Sequence, residues 1–227
     1  MNRFTQKILL SVLLFLTFAG CSKQPAPPIP PAYHILVLGN SITYSPANPS
    51  IGWNGNWGMA ASTADNDFVH LLAKRLKTVN ADNEVSSKNI AEFENNFDTY
   101  NFDANLKILR DAKPALIVLR IGENVTRNSE AALFEQKYQE LLNYFKANNP
   151  SVKILAVGSV WPDRDMPTNV MKKYSDFVPL VFMQADQSNY AFGQFANPAV
   201  ESHPSDKGMA VISNTIFTAV QQMLYGK

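Results

Sequence analysis

Few side chains in this sequence are equipped for chemistry. Ser41 lies in the turn Gly39-Asn40-Ser41-Ile42-Thr43, directly after a short apolar run. A serine hydroxyl is a poor nucleophile until a base takes its proton. The chain holds three histidines, His34, His70 and His203. His34 opens the apolar run and so belongs at the far end of it from Ser41. His70 falls inside a helical pattern among polar neighbours, a surface or rim position. His203 sits in Glu201-Ser202-His203-Pro204-Ser205, just before the last helical stretch, and is the base that the order of elements best supplies. Acyl transfer also needs donors for an oxyanion. The side-chain NH2 of Asn124, in Gly122-Glu123-Asn124-Val125, and the backbone N–H of Ser41 suit that part by type. Plainer readings stand beside these: Ser41 as a cap, Asn124 as a turn residue and Asp206 as a charge at a helix N-terminus. No close pairing of His or Cys has metal-ligand spacing, so neither metal nor cofactor is expected.

These residues need elements to bring them together. His34 to Leu38 (HILVL), Ala115 to Ile121 (ALIVLRI) and Val152 to Val160 (VKILAVGSV) read as buried strands. Glu84 to Ile90 is a weaker strand, and Pro179 to Met183 is the candidate for the last one. Helical spacing covers Asp65 to Val79, a stretch closed by Leu106, Ile108 and Leu109 before Lys113-Pro114, Asn128 to Asn148, Thr168 to Tyr174, and Ser205 to Leu224. This alternation predicts a three-layer α/β/α sandwich around a central, mostly parallel, flavodoxin-like five-stranded sheet. Ligands bind such sheets outside the carboxyl ends of the strands, where strand order reverses. The turns bearing Ser41 and Asn124 both follow strands, and the connection bearing His203 follows the last, so all three converge on one edge.

The longest stretch without regular pattern is Thr43 to Ala64. It contains Gly52-Trp53-Asn54-Gly55-Asn56-Trp57-Gly58 and leaves directly from Ser41. Aromatic rings with amides suit a sugar, so Trp53 and Trp57, with Asn40, are candidate substrate contacts. A lid pinned by its own aromatics is the competing reading.

Composition sets outer limits. With 227 residues, 46% hydrophobic and 17% charged, the chain has material for one ordinary domain with a full core. A net charge of +1 and the lack of any Lys/Arg cluster argue against a nucleic-acid surface. Arg3 and Lys7 precede the apolar run Ile8 to Ala19, which reads as an export signal. It ends in Phe18-Ala19-Gly20-Cys21, which resembles a bacterial lipobox with Phe18 where Leu is usual. The resemblance implies a signal peptide over residues 1–20, cleavage before Cys21, and a lipid on its sulfur that anchors the chain to a membrane. Residues 21–32 then form a Pro-rich spacer and residues 33–227 the folded domain. Ser22, with no Asp in its place, points by analogy to the outer rather than the inner membrane of the cell envelope.

Three motifs carry a further resemblance. Leu38-Gly39-Asn40-Ser41-Ile42-Thr43 resembles the nucleophile motif of the SGNH/GDSL hydrolases, with Asn40 where many members have Asp. Pro114 to Asn124 resembles the strand and turn that deliver the family's oxyanion Asn. His203-Pro204-Ser205, followed by the final helix, resembles its base motif. The order is the family's and spans the mature chain from Tyr33 onward. The resemblance implies a serine esterase with Ser41, His203 and Asn124 as its catalytic set. Two positions depart from the pattern. The Asp expected three residues before the His is Val200. A backbone carbonyl, Glu201, Asp163 or Asp165 must then orient the ring. The oxyanion Gly expected after the second strand is also missing, and a backbone N–H of Ala91 or Glu92 stands in its place. The substrate that fits best is an O-acetyl or other short acyl ester on a carbohydrate. A lipase-like acylhydrolase, or a catalytically decayed carbohydrate-binding lipoprotein, are the alternatives.

Overall fold

The computed structural model describes residues 28–226. The expected signal peptide, Cys21 and the first part of the expected spacer lie outside the described residues.

Five strands make one sheet: β1 (His34–Gly39), β2 (Glu84–Asn89), β3 (Leu116–Arg120), β4 (Lys153–Val157) and β5 (Asp176–Val178). Their order is β2-β1-β3-β4-β5 and every pairing is parallel, the flavodoxin-like arrangement expected. Strands covered on both faces should be apolar throughout rather than alternating. Accordingly, Ile35 to Leu38 and Leu116 to Leu119 are buried without a break.

Successive strand residues point to opposite faces and so serve two separate cores. Leu36, Leu38, Ile117, Leu119 and Ile154 pack on one side. There they meet α2 (Ala91–Asn95), α3 (Phe102–Asp111), α4 (Ala131–Asn148) and α5 (Asp165–Tyr174), through residues such as Phe93, Leu106, Phe134 and Met171. Ile35, Val37, Val118, Leu155 and Val157 pack on the other, against α1 (Phe68–Val79) and α7 (Asp206–Tyr225) through Phe68, Leu72, Leu76, Ile212 and Ile216. The result is a three-layer α/β/α sandwich.

Several boundaries differ from expectation. The last strand is Asp176–Val178, and Val181–Ala185 is a 3-10 turn. Pro179 has no N–H to give a ladder, which ends the strand there. The helix expected from Asp65 begins at Phe68, because Asp67 caps it by accepting from the His70 N–H at 2.8 Å. Ile108 is 86% exposed, so the apolar face of α3 rests on Leu106 and Leu109 instead. Two short helices carry no periodicity long enough to be read: α2, and α6 (Pro198–Glu201), which Asn197 caps and Pro198 opens.

Strand order reverses between β1 and β3, since β1 runs out to β2 on one side and β3 to β4 on the other. The crevice at their carboxyl ends is therefore where the fold offers a site.

Candidate active site

Ser41 follows β1 in a tight turn closed by bonds from the N–H groups of Thr43 and Tyr44 to the Asn40 carbonyl, at 2.9 and 3.1 Å. Gly39 is required for that closeness. A Cβ there would meet Thr43 Oγ1 at 1.9 Å and the Arg120 carbonyl of the neighbouring strand at 2.8 Å.

His203 arrives from the other end of the chain. Helix α6 turns it inward, with its N–H on the Val200 carbonyl at 3.0 Å, while its own carbonyl accepts from Ala191 N–H at 2.9 Å. The ring is 4% exposed, and Trp161 stands against it. Its Nε2 lies 2.8 Å from Ser41 Oγ, within hydrogen-bond reach for a nucleophile and base. Burial pushes the His203 pKa down to about 4, assisted by the positive charge of Arg120; the carbonyls of Ala199 and Val200 and the charge of Glu123 act the other way. The imidazole is thus neutral at neutral pH and free to accept a proton.

Among the described residues, no carboxylate holds the far side of the ring. Nδ1 is buried with no acceptor in hydrogen-bond geometry. The Ala199 and Val200 carbonyls, together with the charge of Glu123, favour its protonated form. Glu201 instead accepts from the Gly193 N–H at 2.8 Å, because α6 turns its side chain toward the neighbouring loop. Asp163 and Asp165 are exposed, on the outer side of the turn after β4. None of the three orients His203 here, which corrects that expectation.

Asn124 sits after β3, next to the Ser41 turn. Its Nδ2 donates one hydrogen to Glu94 at 2.9 Å. The second hydrogen has no protein acceptor among the described residues, nor does the Ser41 N–H. Those are two unengaged donors at the carboxyl edge of β1 and β3. The Ala91 N–H is not a third, because it donates to Asn89 Oδ1 at 2.8 Å. The N–H of Glu92, next in α2, has no acceptor among the described residues and stays a candidate donor.

Asn40 and the loop tryptophans take other parts than those expected. Asn40 is buried and donates to Glu123 at 2.7 Å, while its oxygen accepts from the Ile42 N–H at 3.2 Å. It fixes the turn from below and has no face toward a substrate. Trp53 is 3% exposed and gives its indole N–H to the Ser45 carbonyl at 3.2 Å. Trp57 gives its own to Ala61 at 2.8 Å, and the two rings meet edge to face at 5.7 Å. The loop is pinned by its aromatics, the competing reading of this stretch; Trp53 is closed off from any substrate and Trp57 is half-buried.

The aromatic wall lies elsewhere. A cleft of about 540 Å³ opens next to the loop that carries His203, lined by Trp161, Tyr190 and Phe192 with the amides of Gln184 and Gln187 and with Ser202; Ser41, His203 and Asn124 are not among its walls. The Gln184 Nε2 is unpartnered. Sequence reasoning missed this wall, because nothing in the spacing of Trp161 or Tyr190 links them to His203. It also missed a buried charge cluster of Arg120, Glu123 and Glu94 beneath the turns. One signal was present: Arg120 interrupts a strand that is otherwise apolar, and a buried arginine demands an acid. Glu123 meets it at 2.7 Å. Among the described residues, no group of three or more His, Cys, Asp or Glu side chains is placed to hold a metal.

No family model matches the chain, and no curated protein sequence matches it. Solved structures share its fold. A family two carbohydrate esterase from Cellvibrio japonicus aligns with a TM-score of 0.53 at 16% identity, over 89% of this chain and 64% of that one. A two-domain esterase active on acetylated mannans, co-crystallised with mannopentaose, aligns at 0.55 and 15% identity, over 85% of this chain and 50% of that one. TesA aligns at 0.51 and 17% identity, over 84% of this chain and 99% of that one. The chain spans less than two thirds of the length of those two carbohydrate esterases. At such identities the likeness is one of fold: this chain has the α/β/α fold of SGNH-type esterases and acylhydrolases.

Proposed function

We propose that the protein is a lipid-anchored serine esterase of the cell envelope that removes a short acyl group, most simply acetyl, from a carbohydrate. The 2.8 Å approach of Ser41 Oγ to a neutral His203 Nε2 is the observation that carries this reading.

The chemistry follows from the parts. His203 Nε2 takes the hydroxyl proton as Oγ attacks the ester carbonyl. Negative charge develops on the carbonyl oxygen, where the Ser41 N–H and the second hydrogen of Asn124 Nδ2 receive it. The imidazolium then gives its proton to the departing sugar oxygen, leaving acyl-Ser41. Water, deprotonated by the same nitrogen, releases the acid and restores the hydroxyl. A charged ring in a buried site needs support at Nδ1, and the Ala199 and Val200 carbonyls are the groups available. The cleft of Trp161, Tyr190 and Phe192 suits a sugar: rings stack on its C–H faces, and the exposed Gln187 amide meets its hydroxyls. Its volume lies within the usual range for small-ligand pockets. The envelope address rests on the motif ending at Cys21.

A fluorophosphonate probe tests the reaction class directly. It should label the wild-type protein at Ser41 and leave Ser41→Ala unlabelled. The same substitution should lower hydrolysis of an acetylated sugar by about 10⁴–10⁶-fold without unfolding the domain. Undiminished hydrolysis by Ser41→Ala would remove the serine-esterase reading.

A further inference from the structure

Glu94 takes no part in the reaction as drawn, yet it touches both turns of the site. It projects from α2, is 1% exposed, and is wrapped by N–H groups. Its Oε1 accepts from the Gly122 N–H at 2.5 Å, from the Asn124 N–H at 3.3 Å and from Asn40 Nδ2 at 3.3 Å. Its Oε2 accepts from Asn124 Nδ2 at 2.9 Å. One carboxylate therefore joins the residue beside Ser41 to the amide of Asn124.

The orientation of that amide depends on the charge of Glu94. An ionised carboxylate offers only acceptors, so the Asn124 side chain must turn its NH2 toward it. One N–H is then engaged and the plane of the amide is set, which fixes where the second N–H points. A proton on Glu94 has one place to go. Oε1 is crowded by three N–H groups, so it would sit on Oε2, facing the Asn124 NH2. Donor against donor is untenable in a buried site. The amide then has to turn over and accept through Oδ1, which carries the NH2 out of its place.

The surroundings bring the two charge states close together. From β3 and its turn come Arg120 and Glu123, and from α2 itself the exposed Glu92; His203, Tyr190 and Arg164, whose Nε donates to the Glu123 carbonyl at 2.7 Å, stand around the cluster. Arg120 is committed to Glu123 by two bonds, of 2.7 and 3.0 Å. Burial works against the charge of Glu123, but the Arg120 guanidinium outweighs it and holds Glu123 below the usual carboxylate range. Among the described residues, no cation pairs with Glu94. Burial and then the charge of Glu123 push its pKa up to about 7, against the pull of the Gly122 and Asn124 N–H groups.

We propose that Glu94 is a positioning residue of the site: as a carboxylate it clamps the Asn124 amide in the orientation that serves the oxyanion, and its protonation releases the clamp. The proposal rests on the esterase reading, and it adds a pH gate that His203 does not supply. Burial pushes the His203 pKa down to about 4, so an acid limb near pH 7 would belong to Glu94 and not to the base.

The test uses the full-length protein and 1-naphthyl acetate. In the wild type kcat should fall below about pH 7. Glu94→Gln should lower kcat about 10²–10³-fold with KM nearly unchanged, as loss of one oxyanion donor does. It should also abolish the limb near pH 7. Asn124→Ala should show the same loss and no limb. Because the two residues act through one interaction, the double variant should be no slower than Asn124→Ala alone. A Glu94→Gln enzyme with wild-type kcat and an intact limb overturns the proposal, and so does an additive loss in the double variant. Should Glu94→Gln fail to fold, the profiles of wild type and Asn124→Ala decide: a limb absent from the first or retained in the second overturns it. The side-chain amide resonances of Asn124 give a readout without turnover. They should titrate near pH 7 in Ser41→Ala as in wild type, and an amide indifferent to pH across that range overturns the clamp. Undiminished hydrolysis by Ser41→Ala would instead mark failure of the esterase reading.

Discussion

Trp161 meets the imidazole of His203 edge to face, with ring centroids 5.3 Å apart and planes at 89°, and donates its indole N–H to the Ser202 carbonyl at 3.0 Å. The indole is thus tied to the same loop that delivers the base, and it is one of the walls that keep water from the ring. Burial is the main reason the His203 pKa lies near 4. Removing that wall should let the pKa rise toward the ordinary value. NMR titration of the histidine rings, with His203→Gln to assign the signal, should show a midpoint near 4 in the wild type and a clearly higher one in Trp161→Ala. An unchanged midpoint would show that Trp161 does not shield the base. The same shift has a sign for stability. A histidine whose folded pKa is depressed stabilises the fold above its unfolded value near 6.5, and this is lost as pH falls toward 4. His203→Gln should therefore flatten the decline of stability with acidification across that window.

Arg120 and Glu123 form a fully buried ion pair beneath the turns, at 0% and 1% exposure. Breaking such a pair leaves a charge without compensation and costs about 3–5 kcal/mol. Arg120→Met should lose about that much in urea unfolding, and it would leave Glu94 and Glu123 facing each other without a cation. Adding Glu123→Gln should recover part of the loss, since no unpaired charge then remains beside Glu94. A single variant within about 1 kcal/mol of wild type would show that water or a rearranged partner compensates the buried acid.

How far the site could be read from sequence follows the same physical lines. β1, β3 and β4 were legible because strands buried on both faces leave continuous apolar runs, and those runs fix where Ser41 and Gly122 to Asn124 emerge. Their convergence was legible too, since parallel strands share a carboxyl edge. Glu94 was not: α2 is five residues long, too short for a periodic face, and its carboxylate meets Asn124 thirty positions away only through the fold. For the tryptophans, sequence leaves a sugar contact and a pinned lid open, and the structure has the pinned loop. Sequence places Trp53 near Ser41 but says nothing of direction, and its ring turns inward onto the loop and Phe195. Trp161 reaches His203 across 42 positions because the β4 and α6 connections meet at the same edge.

The anchor is a separate expectation, carried by Phe18-Ala19-Gly20-Cys21. Cys21→Ala should leave the chain unprocessed or release it from the membrane fraction. Mass spectrometry of the mature wild-type N-terminus should find a lipid-modified Cys21. Undisturbed membrane fractionation of the variant would dismiss the lipoprotein assignment while leaving the esterase chemistry untouched.

The last prediction concerns what holds His203. In a Ser-His pair the ring must show one nitrogen to the hydroxyl and keep the other oriented, usually through a carboxylate. Here the position three before the histidine is Val200, which is buried and has no acceptor on its side chain. Glu201, the nearest acid in sequence, is spent on the Gly193 N–H at 2.8 Å. Asp163 and Asp165 face solvent. The ring is instead fixed by its surroundings: Trp161 against one side, Ser41 on Nε2, and a backbone held at both ends by the Val200 carbonyl and the Ala191 N–H. The Ala199 and Val200 carbonyls then support the imidazolium as it forms. If that is the whole arrangement, no nearby carboxylate is needed. Glu201→Gln, Asp163→Asn and Asp165→Asn, made singly, should each keep kcat/KM within about threefold of wild type, because removing an acid that does not touch the ring takes nothing from the transition state. A fall of about 10⁴-fold in any one, the size expected when the orienting acid is lost, would name that residue as the missing member and refute a dyad without an orienting acid.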